Sequence, residues 1–303
     1  MASTFSNILR LARSGIVLAQ HGVRFVPAGV KVPLALHLAR AATLPIRALT
    51  WPFRIGQPRQ RRVAAALTSL GPSYIKLGQF LATRADLIGP TLAADLAHLH
   101  DKLPPFPTPE ARRAVEEALG GRLESHFAEF GPSVAAASIA QVHKAVAIDD
   151  GSRRDVAVKI LRPGIEKRFR RDLDSYFFAA RQIERWHPPT RRLRPTAVVD
   201  TLAHSVEIEM DLRLEAAAIS EMADNIAGDA LLPDGAFRVP TVDWRRTSKR
   251  VLTLEWIDGI PISDHAALRA AGQIELRADF RHALGDGDDG AQGRHAAGTG
   301  HEA

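Results

Sequence analysis

Lys159 closes the run "VAVK", Val156 to Lys159, in the middle of an apolar stretch. Strand alternation sets Val156 and Val158 on one face and Ala157 with Lys159 on the other. An ammonium on that face is either exposed at a sheet edge or poised over a ligand. Carboxylates come from "EIEMDLRLEAA", Glu207 to Ala217. On one continuous helix, Glu209 and Arg213 are i,i+4 partners, and Asp211 and Glu215 form a like-charge pair. Glu209, Asp211 and Glu215 are then either a solvated face or partners for Lys159, Lys76 or a divalent metal. The third cluster is "KLGQFLATRADL", Lys76 to Leu87. Leu77, Phe80, Leu81 and Ile88 share a helical face. Gly78 interrupts it at a cost of roughly 1 kcal/mol relative to Ala, with Lys76 and Gln79 beside it.

Several chemistries are excluded at once. The chain has no cysteine, so disulfides, thiolate metal sites and cysteine nucleophiles are out. His98, His100 and His143 lack clustered ligand spacing, and no metal site is expected. "GDGDDG", Gly285 to Gly290, formally fits a dinucleotide fingerprint, but it follows a helix and its aspartates would repel phosphate.

The elements that must carry these residues are legible. Helices broken at Gly71-Pro72 and Gly89-Pro90 lead to the Pro-rich "LPPFPTP". "TPEARRAVEEALGG" opens on Thr108-Pro109-Glu110 and closes on Gly120-Gly121. From Phe127 the pattern turns β-prone, with strand-like runs around Val142, Ala145 to Ile148 and Val156 to Ile160, and a hairpin turn at Asp149 to Ser152. One helix is predicted from Glu166 to Trp186 and another from Thr196 to Ala227. "FRVPTVDW" and "RVLTLEWIDG" supply two more strands. Helices, three strands, helices and two strands predict an α+β fold with a five-stranded antiparallel sheet.

The net charge of +6 is unevenly spread. Residues 1–85 hold 12 Lys plus Arg and no Asp or Glu, leaving 28 basic against 34 acidic residues in the remainder. "FSNILRLARSGIVLAQHGVRF" and "LALHLARAATLPIRALTW" mix aliphatics with Arg at helical spacing, ending near Trp51 and Phe53. Such an arm suits a membrane surface or anionic lipid, or docks on the protein's own body; nucleic acid is the poorer fit. No apolar run reaches the ~18 residues of a spanning helix, and no secretory signal is evident. The last 19 residues contain six Gly and nothing apolar larger than Ala. They cannot offset their ordering entropy and are expected to be disordered. The expected organisation is an arm (1–60), a helical extension (61–125), a small lobe (126–284) and a tail (285–303).

Strand–turn–strand followed by a strand Lys is also the order of the nucleotide lobe of protein kinases. A kinase places a Gly-rich loop over the phosphates, whereas this chain has "AAASIAQVH", Ala135 to His143. Each Cβ there restricts backbone approach and positive φ. Alone, the loop argues against an ordinary kinase, or is a small-residue strand packed on a helix. Taken together, "KLGQ", "AAASIAQVH", "VAVKILRPG", "EMDLRLEAA" and "VLTLEWIDG" resemble the UbiB family of atypical kinase-like proteins, linked to ubiquinone (coenzyme Q) biosynthesis. Its bacterial members often carry the name 2-polyprenylphenol 6-hydroxylase, although their fold is that of a kinase. The resemblance runs from about Leu70 to about Gly285.

It implies an ATP-binding small lobe with a helical N-terminal extension. Lys159 would contact phosphates and Glu215 would pair with it. Ala135, Ala136, Ala137 and Ser138 would form the loop over the nucleotide, and Glu255 and Ile257 the adenine-contacting hinge. Lys76 and Gln79 match a K-x-G-Q motif, Glu209 and Asp211 an E-x-D motif. Lys76 is expected to pair with Glu209 or Asp211, Lys76 and Gln79 to face the cleft, and Gly78 to permit close approach to the small lobe. Cofactor and partners by resemblance are ATP (Mg-ATP in the family), the cytoplasmic face of the inner membrane and ubiquinone-biosynthesis proteins. The family's H-x-D-x-H-x-G-N catalytic loop and D-F-G-like segment are absent after "ADFRHALGDG". A truncation or frame shift near Gly287, with the larger lobe missing, is therefore expected, and no catalytic residue is assigned. Weak nucleotide binding without turnover is the expectation. A non-catalytic membrane- or partner-binding module and an inactive remnant are the alternatives.

Overall fold

The computed structural model describes residues 4–23, 41, 44–45, 61–97, 99, 103–149, 151–228, 238–260, 262 and 264–272. Trp51, Phe53, His98, His100 and the tail 285–303 lie outside them. The chain divides into two compact units, Met1–Trp256 and Ile257–Ala303. In the second, helix His265–Ala270 starts at Asp264, whose side chain accepts from Ala267 N–H.

The first unit is built on an antiparallel sheet in the order β1-β2-β3-β4. The strands are β1 (Phe127–Ala136), β2 (Ala140–Asp149), β3 (Ser152–Leu161) and β4 (Val251–Glu255). Asp149 pairs with Ser152 across a two-residue turn. Alternation along β3 follows the predicted period, with Val156, Val158 and Ile160 wholly buried. They pack under α6 (Thr108–Leu119) through Ala111, Ala114 and Val115. The opposite face, with Ala140, Leu161 and Leu252, meets α7 (Ile165–Trp186), α8 (Pro195–Glu209) and α9 (Leu212–Gly228).

Among the described residues four strands stand where the sequence predicts five. Segment 238–243 touches the sheet by a single bridge, Val242 to Leu254. The bridge consists of Glu255 N–H donating to Thr241 O and Asp243 N–H to Thr253 O, at 2.8 and 2.9 Å, while Thr241 N–H turns to the Glu255 carboxylate instead of a strand carbonyl. Arg246, its side chain 3% exposed, ties the segment to the β2–β3 turn through Asp149 (2.9 Å) and Asp243 (2.7 Å).

The extension comprises α2 (Arg61–Leu70), α3 (Pro72–Ala82), α4 (Ala85–Ile88) and α5 (Pro90–Ala97). The apolar face predicted for α3 divides between two clusters. Leu77 and Phe80 pack with α7–α9, while Leu81 joins Leu67, Leu96 and Leu99 within the extension. Gly78 faces this second group. A Cβ there would lie 2.3 Å from Leu99 Cδ1 and 2.7 Å from Leu67 Cδ1. The close approach expected toward the small lobe is therefore made to the extension's own leucines.

The N-terminal helix α1 (Thr4–Gln20) docks on α7 and α2 and reaches α3 through Tyr74, burying Asn7, Ser14 and Ala19. Arg10 Nε donates to Ser175 Oγ (3.1 Å), Ser175 Oγ to Asn7 Oδ1 (3.2 Å), and Ser14 Oγ shares a 2.6 Å hydrogen bond with Tyr74 OH. Its apolar Phe5, Ile8, Leu9 and Ile16 point to solvent. The sequence alternatives for this helix, docking on the body or offering an apolar face outward, are thus compatible in one orientation. Gly78→Ala is expected to cost about 1–3 kcal/mol, because overpacking outweighs the roughly 1 kcal/mol of helix propensity gained. A lower urea midpoint at unchanged slope would be the measured result.

Candidate functional site

The site begins with a chain break that periodicity hides. Met210 and Leu212 are both buried, 8% and 1% exposed. Residues two apart on an α-helix point about 200° away from each other, so one continuous helix cannot bury both in the same cluster. The chain ends α8 at Glu209, and Leu212 N–H donates to Lys249 O at 3.0 Å. Asp211 then starts α9: its carboxylate accepts from Arg213 N–H (3.2 Å), and its carbonyl from Leu214 N–H (3.0 Å). Aspartate is suited to this because its short side chain reaches free N–H groups at a helix start. The single helix predicted over Thr196–Ala227 is thereby two.

This break separates the three acids. Glu209 receives Lys76 Nζ at 2.6 Å. Asp211 takes the guanidinium of Arg213 at 2.9 and 2.6 Å. Glu215 grips Lys159 Nζ with both oxygens, each at 2.7 Å. The helical i,i+4 pairing of Glu209 with Arg213 therefore does not form. The hydrogen bond from Arg213 is the main influence holding the Asp211 carboxyl below its ordinary range.

Lys159 stands on β3 between Val142 and Leu252, on the face that looks to α9. The Lys159 and Glu215 side chains remain 31% and 42% exposed. Solvent screening leaves such a pair little stabilising value. Gln79 lies one turn from Lys76 on α3 and is half-buried.

Ala135 and Ala136 end β1, and Ala137 and Ser138 make the turn into β2. Ala137 N–H donates to Ala140 O and Arg162 N–H to Ile139 O, both at 2.8 Å. None of these four takes positive φ; Arg194 alone does among the described non-glycine residues. Glu255 directs its carboxylate to Arg238 and to Thr241 N–H, and the latter bond is the main reason its carboxyl titrates low. The Glu255 and Trp256 N–H groups are committed to Thr241 O and Asp155 O. Ile257 is exposed and belongs to the second unit.

Sequence reasoning passed over two anchors of this site. Gln141 Oε1 accepts from Phe106 N–H (2.8 Å), while its Nε2 donates to Phe106 O (3.2 Å) and to His143 Nε2 (2.8 Å). His143 Nδ1 therefore carries the proton and donates to Gly131 O at 2.8 Å. Burial pushes this imidazole below its ordinary range, which keeps it neutral. The second anchor is Arg162. The only sequence signal was a polar or charged residue within or just beyond an apolar strand. Among the described residues no acid–histidine cluster suits a metal, and no helix is long and apolar enough to cross a membrane.

Comparison with known proteins gives concordant matches. The ABC1 atypical kinase-like domain matches residues 98–278. The chain is 41% identical over 215 residues to the protein named "Probable protein kinase UbiB" of Marinobacter nauticus, covering 71% of this chain and 38% of that one. It is 39% identical over 272 residues to that of Xanthomonas campestris pv. campestris, covering 88% and 46%. The Pseudomonas aeruginosa protein of the same name is 41% identical over 242 residues, covering 79% and 43%. The chain thus spans less than half the length of these curated relatives.

Asp211→Ala removes both the cap and the partner of Arg213, and is expected to cost about 1 kcal/mol. Asp211→Asn should retain most of the cap. Because the folded carboxyl titrates low, its stabilisation is complete above the ordinary value of 3.8 and is lost as pH falls through the lowered folded value. Denaturation curves of wild type and Asp211→Asn should therefore separate at neutral pH and converge in acid.

Proposed function

The chain belongs to the ABC1 atypical kinase-like family, and we propose that its first unit is the ATP-binding half of a UbiB-type kinase or ATPase serving ubiquinone biosynthesis. The observation carrying this reading is the grip of Glu215 on Lys159, which holds a strand ammonium with both carboxylate oxygens. Lys159 would meet the α- and β-phosphates, with Ala135–Ser138 as the covering loop and Glu255 on the adenine side. Lys76, paired with Glu209, would bring the extension to the cleft edge, with Gln79 beside it. Phosphoryl transfer also requires metal ligands and a group that positions the acceptor. These 303 residues contain no H-x-D-x-H-x-G-N or D-F-G sequence, so the reading gives this chain nucleotide binding without turnover.

The same reading places the protein peripherally at an anionic membrane, at the cytoplasmic face of the inner membrane. Its support is the orientation of α1. Phe5, Ile8, Leu9 and Ile16 face outward, and residues 1–85 carry no acid to repel lipid phosphates. Apolar residues on one side and net positive charge are what an interfacial helix needs. This orientation also favours the second reading, a membrane-binding module without catalysis.

Two measurements test these readings. A fluorescent ATP analogue should bind the 303-residue chain, and Lys159→Ala should weaken it by about tenfold or more, roughly 1.4 kcal/mol. Absence of binding would sink the nucleotide reading, and an ATPase rate abolished by Lys159→Ala would overturn the expectation of no turnover. In flotation assays, vesicles containing phosphatidylglycerol should capture the chain, with loss on Phe5→Ser/Leu9→Ser/Ile16→Ser. Equal flotation of that variant would remove α1 from the membrane reading.

A further inference from the structure

Arg162 follows β3, three residues beyond Lys159, and its bonds converge on the Ala-rich turn. Its backbone N–H donates to Ile139 O. The guanidinium donates twice to Ala137 O, from Nε at 3.0 Å and from Nη2 at 2.8 Å. Nη2 also reaches Pro104 O at 3.0 Å, and the guanidinium carbon lies 5.7 Å from the centre of the Phe106 ring. One side chain therefore joins the turn to the Pro-rich linker. Gln141 holds the same linker through Phe106 N–H and O. Beside this junction lies a cavity of about 230 Å³ bordered by Pro72, Arg162 and Arg168.

A turn built from alanines cannot flip its peptides freely, since positive φ is costly for residues with a Cβ. Its carbonyls must point somewhere, and one aimed into a phosphate site would repel the ligand. The Ala137 carbonyl is instead drawn onto a positive charge. We propose that Arg162 is a positioning residue that holds the Ala-rich loop in its nucleotide-accepting shape and ties that shape to the Pro-rich linker. This rests on the reading of Ala135–Ser138 as the loop over the nucleotide. The planar fork is required because two donors share one carbonyl while one of them reaches a second carbonyl 58 residues earlier. Lysine offers the charge without that fork.

The test uses the 303-residue chain with Arg162→Ala, Arg162→Lys and, as control, Arg168→Ala. Arg168 borders the same cavity but donates to Leu70 O. Binding of a fluorescent ATP analogue should weaken about tenfold in Arg162→Ala, as for loss of a charge-assisted anchor. Arg162→Lys should recover part of it, and Arg168→Ala should stay within about twofold of wild type, as expected for a change made away from the loop. Amide exchange over residues 137–140 should quicken in Arg162→Ala and remain unchanged in Arg168→Ala. The Lys variant keeps the test informative if Arg162→Ala does not fold. If wild type binds nucleotide and both Arg162 variants match it, the proposal is overturned. Exchange that quickens equally in Arg168→Ala would also overturn it, since the role would then be general packing. If wild type itself binds no nucleotide, the underlying reading fails, and this proposal with it.

Discussion

The site depends on a conflict between two burials. Met210 and Leu212 both seek the interior, and an α-helix sends residues two apart in different directions. The chain resolves this by ending one helix and starting the next within the E-x-D motif. The break takes Asp211 out of the i,i+4 position it would share with Glu215 on a continuous helix. Each carboxylate then has its own cation, from α3, α9 and β3 in turn. Like-charge repulsion that would weaken a continuous helix becomes three separate attractions, and the motif's two acids serve different elements.

The extension is joined to the lobe in two chemically distinct ways. Leu77 and Phe80 bury apolar surface against α7–α9, which stabilises without specifying register closely. Around them run directional bonds: Lys76 to Glu209 and Ser73 Oγ donating to Asp172. Tyr74 and Tyr176 meet edge to face with centroids 5.2 Å apart. Hydrogen bonds and ring geometry tolerate small displacements poorly, so they fix where α3 sits relative to the acids. Gly78 lies on the other side of α3, where it lets the helix settle into the extension's leucines.

Much of this was legible before the structure. Strand period two placed Lys159 opposite the Val156–Val158 face, and the Asp149–Ser152 turn and the β-prone runs gave the hairpin. The helix break was not legible, because local i,i+4 charge spacing favoured continuity while the deciding contact, Leu212 N–H with Lys249 O, is remote in sequence. Partners of Gly78 were misjudged for a similar reason: a glycine advertises a close approach without naming what approaches. The fifth strand stops at Thr241, whose N–H turns to the Glu255 side chain, so the ladder is reduced to one bridge. Arg162 escaped notice because its targets are backbone carbonyls, which leave no mark in a side-chain pattern.

The inverted seating of α1 carries a thermodynamic consequence. Most surface helices are retained by removing apolar area from water, and separating them exposes that area, with a large positive heat-capacity change. The buried side of α1 presents Asn7, Ser14 and Arg10 to Ser175 and Tyr74, and small Ala19 is the apolar residue it fully buries. Water can replace each of those bonds almost in kind. Detachment of α1 therefore adds little to the heat capacity of unfolding and depends only weakly on temperature. Retention of α1 rests on directional bonds more than on buried apolar area.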